Sequence, residues 1–276
     1  MEATGSYWIA LAVALHQAHY PVSVLNPGQV ALFARSLPRR AKTDALDTQV
    51  LLRFAHERQP AAWTPPEQVY HELRQRLVVS DGLLQMRTHA RNQRHAIQQW
   101  PVTIPSALEA LDTVIAELDA QVVSLEREIA AVLRDGAWAT SATVLLATPG
   151  VGLVTTAWLL VGTINFSVAQ SPEQLSAYVG LAPLAYQSGT SVRGRAQIGH
   201  SGNGRVRTAL YMATLSAARY NPTIKAFYQR LRQAGKPMKV ARCAAARKLL
   251  TLAWALVKKN ERYRAPELTQ AKQLAA

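Results

Sequence analysis

One cysteine, Cys243, stands in a chain of 276 residues. That excludes an internal disulfide framework and any metal centre built on cysteines, and it points to a cytoplasmic setting. Long apolar runs are also missing: no stretch reaches the ~18 uninterrupted apolar residues that a membrane span needs. The apolar segment Trp8–Leu15 has neither the basic flank nor the small-residue ending of a secretory leader. Acid is the most informative shortage. Residues 136–260 hold 15 lysines and arginines but one acid, Glu173, while the remainder balances 16 against 16, so the whole net charge of +14 lies in that stretch. Charge this one-sided is the footprint of a polyanion binder, nucleic acid foremost. A merely soluble basic domain is the alternative.

What is present is a globular composition. Hydrophobic residues make up 49% and mean hydropathy is close to zero, enough for one large or two ordinary domains with a real core. The first 60 residues read as strand, helix, strand, helix, helix. Met1–Thr4 is the tail of a strand, Tyr7–Gln17 a helix, and Val22–Leu25 a β-branched run closed by Asn26-Pro27-Gly28. Helices follow over Gln29–Ser36 and Asp44–His56, so this part predicts an α/β layer with a partly parallel sheet. Pro65-Pro66 marks a break. Glu67–Gln99 then carries Arg87, Arg91, Arg94 and His95 at helical spacing as a basic stripe. Beyond Pro105, Leu108, Leu111, Ile115, Leu118, Val122, Leu125, Ile129 and Val132 step 3-4-3-4 without a fault, the seam of a coiled coil. It serves either an intramolecular hairpin or a dimer, and a homo-oligomer is expected.

In the basic half, Thr148-Pro149-Gly150-Val151-Gly152 breaks two helical runs into a helix-hairpin-helix shape whose second helix start offers N–H groups to a phosphate. Leu181–Asn203 reads as loop, and helices resume over Arg205–Arg219, Thr223–Ala234 and Lys239–Lys259. In the last, Arg242, Arg247 and Lys248 are placed on one side and Leu249, Leu252 and Leu256 on another. Cys243 reads as a buried small apolar residue, and Trp63, Trp138, Trp158 and Trp254 as core anchors.

Two groups carry chemistry. Asp44 and Asp47, three apart on one helix, project from one face, and carboxylates packed together call for a hard divalent cation. With Glu2 they would form the kind of site that handles phosphodiesters; a helix cap at Asp44 and a solvated acid at Asp47 are the plain alternative. The loop Gln187–Arg195 concentrates Ser188, Thr190 and Ser191 beside Arg193 and Arg195. A serine beside glycine approaches phosphate closely, and guanidinium groups stabilise the charge that develops. His200 is too weakly linked to serve as its base, and a loop that grips phosphate without reacting is the alternative.

These residues fall in an ordered set. Glu2–Gly5 with Tyr7, Val24–Pro27, Lys42–Asp47, Thr148–Gly152, Ala177–Pro183, Ser188-Gly189, and Gly202-Asn203 with Val206, Arg207 and Leu210 occur in sequence. Together they resemble the DEDD-type insertion-sequence transposases of the IS110 class, related to the Piv/MooV DNA invertases. The resemblance implies a RuvC-like (ribonuclease H fold) domain with four acidic Mg²⁺ ligands, of which Glu2, Asp44 and Asp47 match the second to fourth. It also implies a C-terminal transposase domain whose serine joins covalently to DNA, matched by Ser188, with Ser191 and Ser201 less favoured. A structured guide RNA is the implied partner beside donor and target DNA, in a bacterial, nucleoid-associated setting.

The expected organisation is an α/β part, 1–62, as a truncated RuvC-like domain; a helical hairpin or coiled coil, 63–138; a mainly helical transposase domain, 139–260; and a tail, 261–276. The family's first aspartate precedes the glutamate motif at which this sequence starts, so impaired metal binding and cleavage are expected. Nucleic-acid contacts are expected from Arg87, Arg91, Arg94, Arg193, Arg195, Arg205, Arg207, Arg242, Arg247 and Lys248. The competing readings are a non-catalytic nucleic-acid-binding remnant and a Holliday-junction-type nuclease that never uses serine.

Overall fold

The computed structural model describes residues 1–37, 43–184, 187–188, 192–194, 197–199 and 201–265, with the side chains of residues 44, 187, 188, 192 and 193 set aside. The described chain is mostly helical and divides into two compact units, Met1–Glu67 and Gln68–Ala276.

In the first unit the only sheet pairing among the described residues is a parallel bridge, Glu2 with Leu25. Leu25 N–H donates to Met1 O at 2.8 Å and Ala3 N–H to Leu25 O at 2.9 Å. Helix α1 (Tyr7–Gln17) lies where the sequence places it. Helix α2 spans Pro27–Arg35, starting two residues before the expected Gln29. The reason is chemical: Asn26 accepts from Gly28 N–H at 2.8 Å, and Pro27, whose missing N–H costs nothing at a first helical position, continues the cap. The expected closing turn is therefore a helix start. Helix α3 spans Asp44–Arg58; Thr43 caps it, its Oγ1 accepting from Leu46 N–H at 3.3 Å, and Gln59 ends it at φ +43°. Leu25, Val30, Phe33, Ala34, Val50 and Phe54 form the small core of this unit.

In the second unit α4 (Gln68–Ile97) and α5 (Pro105–Asp135) pack as an antiparallel hairpin. All eight seam residues of α5 are buried or half-buried, with Val122 and Ile129 fully so. Toward its base the hairpin joins the main core through Val69, Leu73, Leu77, Ile129 and Leu133. That core continues through α6 (Ala139–Leu146), α7 (Leu153–Thr163), α8 (Pro172–Val179), α9 (Gly204–Tyr220), α10 (Pro222–Gln233) and α11 (Met238–Lys259). Trp138 and Trp158 anchor it as expected, whereas Trp63 is half-buried and makes edge contacts with Trp8 and His16. Asn221 ties three parts together. Its Oδ1 accepts from Ile224 N–H at 3.2 Å to cap α10, while its Nδ2 donates to Pro149 O, also at 3.2 Å, in the turn between α6 and α7. That turn passes so close to α9 that a Cβ on Gly150, at φ +93°, would collide with the Ala217 backbone.

The segment expected as loop holds two nested antiparallel ladders. Strand β1 (Pro183–Leu184) pairs with β4 (Gln197–Ile198), and inside them β2 (Gln187–Ser188) pairs with β3 (Val192–Arg193). Two-residue strands are too short to show a period of two, which is why the pattern reads as loop.

The seam predicts a gradient of stability. Ile129→Ala, fully buried where the hairpin meets the core, should cost about 2–5 kcal/mol in urea unfolding. Leu111→Ala, half-buried farther out, should cost about 1 kcal/mol. Equal losses would contradict this packing.

Candidate functional site

The three acids expected as metal ligands, Glu2, Asp44 and Asp47, all belong to the first unit. Glu2 lies on the parallel bridge, and its carboxylate accepts from Thr4 Oγ1 at 2.7 Å. Asp44 and Asp47 open α3, and Asp47 is half-buried. With Thr43 as the cap, Asp44 is the first helical residue rather than the cap itself. The Asp44 side chain lies outside the described set; among the described residues no three His, Cys, Asp or Glu side chains group as a metal site. The donor type is nevertheless apt, since carboxylate oxygens are what a hard divalent ion takes.

Ser188 is the last residue of β2, paired with Val192, so it sits at the closed end of the nested hairpin. Ser191, Arg195 and His200 lie outside the described residues, as does the Arg193 side chain. The hairpin's two roots are tied together. α8 stops at Gly180 (φ +80°) and α9 is preceded by Gly202 (φ +89°), and these two backbones touch: a Cβ on Gly202 would strike Gly180 N and the Val179 carbonyl. Arg207 closes the knot, one guanidinium nitrogen donating to Val179 O at 3.0 Å and Ser201 O at 2.6 Å. Arg207, expected at nucleic acid, is spent on holding this hairpin.

The other expected cations sort by partner. Arg87 reaches Asp119 at 2.5 Å, Arg91 the same carboxylate at 2.8 Å, and Arg94 grips Asp112 with two nitrogens at 2.5 and 3.1 Å. The basic stripe of α4 thus zips the hairpin to α5, with Arg76–Glu128 at 2.8 Å nearer its base. Hydrogen bonding from Arg87, joined by the Arg91 charge, holds the Asp119 carboxyl below the usual carboxylate range. Arg205 pairs with Asp81 at 2.7 Å. Arg242, Arg247 and Lys248 have no carboxylate partner among the described residues.

These three do not share one side of α11. Arg242 lies over the Tyr211 ring, 6.0 Å from its centre, and the Tyr211 and Tyr228 hydroxyls, as acceptors, favour its charged form. It lines a groove of about 530 Å³ with Arg219 and Tyr220. Arg247 and Lys248 line a second groove of about 880 Å³, whose walls include Ile198, Phe227 and Val240. Cys243 lines this groove half-buried, which corrects the buried reading; desolvation pushes its thiol up. Alanines fill much of the buried face of α11 (Ala241, Ala245, Ala246, Leu249, Leu250, Ala253), so Leu252 and Leu256 are half-buried instead of central. Sequence reading missed Lys239, Arg219 and the two tyrosines. The signal was there for Lys239: 239, 243, 247 and 251 recur every fourth residue along the groove.

At the turn before α7, Gly152 is exposed, and no side chain caps the first N–H groups of the helix. No described helix is long and apolar enough to cross a membrane.

Comparison with known proteins follows the same geography. A family model described as transposase IS116/IS110/IS902 family matches residues 142–229. A second, for DEDD transposases of the IS110 type, matches residues 1–99. The chain is 33% identical over 265 residues to the pilin gene-inverting protein of Moraxella bovis, covering 94% of this chain and 80% of that protein. Identity to its Moraxella lacunata counterpart is also 33% over 265 residues. A 42 kDa protein of insertion element IS900 from Mycobacterium paratuberculosis is 29% identical over 190 residues, 66% of this chain and 45% of that protein.

Two measurements separate holding residues from gripping ones. Gly202→Ala should destabilise by about 2 kcal/mol or more, because strain and collision coincide, whereas Arg247→Gln should stay within about 0.5 kcal/mol of the parent. The Asp119 pairing adds stability that is complete above the ordinary carboxylate pKa and lost as pH falls through the lowered folded value. Asp119→Asn should remove that acid-side loss from an unfolding profile; an unchanged profile would assign it to other groups.

Proposed function

The chain belongs to the IS116/IS110/IS902 family of transposases, and we propose that it recombines DNA strands through an acidic metal site and the serine Ser188. A transposase or DNA recombinase is an enzyme, and DNA is its substrate. The finer parts of the reading are a RuvC-like arrangement of the first unit, Mg²⁺ as the ion, strand selection by a structured guide RNA, and a homo-oligomer joined through the α4–α5 hairpin.

In this reading Glu2, Asp44 and Asp47 hold the divalent ion, which supplies charge stabilisation to a phosphodiester under attack. The Ser188 hydroxyl forms a new O–P bond as the strand's own O–P bond breaks, and the departing sugar oxygen takes up the proton. Joining reverses the step with a different sugar hydroxyl. Arg193 and Arg195, neighbours in sequence, are the candidates for neutralising the phosphate's added charge.

The observation that supports this most is the sorting of cations. Carboxylates neutralise Arg76, Arg87, Arg91 and Arg94 of α4, while Arg242, Arg247 and Lys248 on α11 are unopposed among the described residues. An unopposed guanidinium or ammonium gains from phosphate what a paired one has already gained elsewhere.

Binding should therefore weaken steeply with salt, and each of Arg242→Gln, Arg247→Gln and Lys248→Gln should lower the log–log slope by about one. Arg91→Gln should lower it less; equal effects from α4 and α11 would overturn the sorting. A covalent protein–DNA adduct should form with the parent and disappear in Ser188→Ala. Metal-dependent cutting that persists unchanged in Ser188→Ala would favour the junction-nuclease reading.

A further inference from the structure

We propose that the groove between the root of the Ser188 hairpin and α11 takes one unstacked nucleotide of the bound strand, base inward and phosphate outward. This rests on the nucleic-acid reading above and deepens it. The groove is about 880 Å³, within the range of small-molecule pockets. Its walls fall into two kinds. Leu181, Pro183, Ile198, Phe227, Val240 and Ala244 are apolar, suited to the face of a nucleobase. Among the described lining residues Lys239, Arg247 and Lys248 are charged, none is acidic, and Gln197 and Thr251 are neutral and polar. An occupant must therefore be flat and apolar in one part and anionic in another.

A purely apolar occupant would leave three cations without a counterion. A phosphate backbone alone would leave Phe227 and Val240, the latter 52% exposed, facing water. A nucleotide out of its stack satisfies both, as in proteins that do chemistry on strands they have opened. The other groove beside α11 is smaller, about 530 Å³, and its cations Arg219 and Arg242 stand among Tyr220, Tyr228 and Leu215, so it offers charge for the continuing backbone. Position supports the choice. β1 and β4, which wall the groove, are the outer ladder of the hairpin whose inner ladder ends at Ser188.

The chain's single cysteine makes the test direct, since Cys243 lines the groove. The full-length protein is saturated with a single-stranded DNA oligonucleotide, or with one of equal length and charge made of abasic residues, and alkylation of Cys243 by N-ethylmaleimide is timed. The ordinary oligonucleotide should slow alkylation about tenfold and the abasic one should not, because base contacts of this kind are worth about that factor. Val240→Trp fills the groove from an exposed position. It should remove the preference for the ordinary over the abasic oligonucleotide while binding to duplex DNA stays within twofold or so of the parent. Equal protection by both oligonucleotides, or salt-dependent binding that leaves Cys243 as reactive as in the free protein, overturns the nucleotide site and leaves the nucleic-acid reading intact. Absence of binding to any oligonucleotide overturns both. Protection by the corresponding RNA and not by DNA keeps the nucleotide chemistry but assigns the strand to RNA.

Discussion

A guanidinium that meets a carboxylate across a helical hairpin has little attraction left for phosphate, and this competition organises the second unit. Asp112, Asp119 and Glu128 of α5 stand opposite Arg94, Arg87 with Arg91, and Arg76 of α4. The arginines are partly exposed, so each pair contributes modestly to stability. Their larger effect is on direction. Between Glu173 and Glu261 the sequence has no acid at all, so α9–α11 carry cations that folding cannot neutralise from within that stretch. Arg205 finds Asp81 of α4, and Arg207 finds two carbonyls. Of those left over, Lys239, Arg247 and Lys248 line one groove beside α11 and Arg219 and Arg242 another. The location of acid, more than that of base, decides where a polyanion is gripped.

The same economy governs the serine. A nucleophile on a short hairpin needs fixed roots, because an error of about 1 Å costs much of the advantage of a held geometry. Here the roots are fixed without apolar bulk. Gly180 and Gly202 let two backbones touch, and Arg207 bonds a carbonyl on each side of the contact. A side chain at either glycine would force the strands apart. That gives Gly202, Asn203 and Arg207 separate tasks: one touches, one caps α9 through Arg205 and Val206 N–H, and one ties.

Much of this was legible in the sequence, and the failures have physical causes. Most helix positions followed from periodicity and Pro/Gly breaks, whereas the caps at Thr43, Ser171, Asn203 and Asn221, and with Ser171 the helix α8, were missed. Asn26 was misread because Asn-Pro-Gly suits a turn and a helix start equally. The α4 stripe was rightly placed on one helix, yet periodicity says nothing about what a facing helix offers, and the acids of α5 lie 18 to 52 residues away in sequence. Arg242 and Arg247 were grouped although five residues turn a helix by about 140° past one full turn, enough to send them to different grooves. The RuvC-like reading of the first unit came from the resemblance, because one parallel bridge and three helices carry little of that fold on their own.

Helix α11 raises the last question about how the function is divided. The matched family segment in this unit ends at residue 229, within α10, yet the grooves depend on residues 239 to 251. That family model stops short of α11, whereas the similarity to the pilin gene-inverting protein of Moraxella bovis covers 94% of the chain. The groove residues 239 to 251 belong to a helix whose buried face is mostly alanine, a face that fixes its closeness to the core. The chemistry proposed at Ser188 would need a rigid, particular backbone. Holding a polynucleotide needs only unopposed charge and a slot of the right shape, which many outer surfaces of one helix can provide. In the proposed reading the hairpin would carry the reaction, and the outward residues of α11 would carry the grip on the strand.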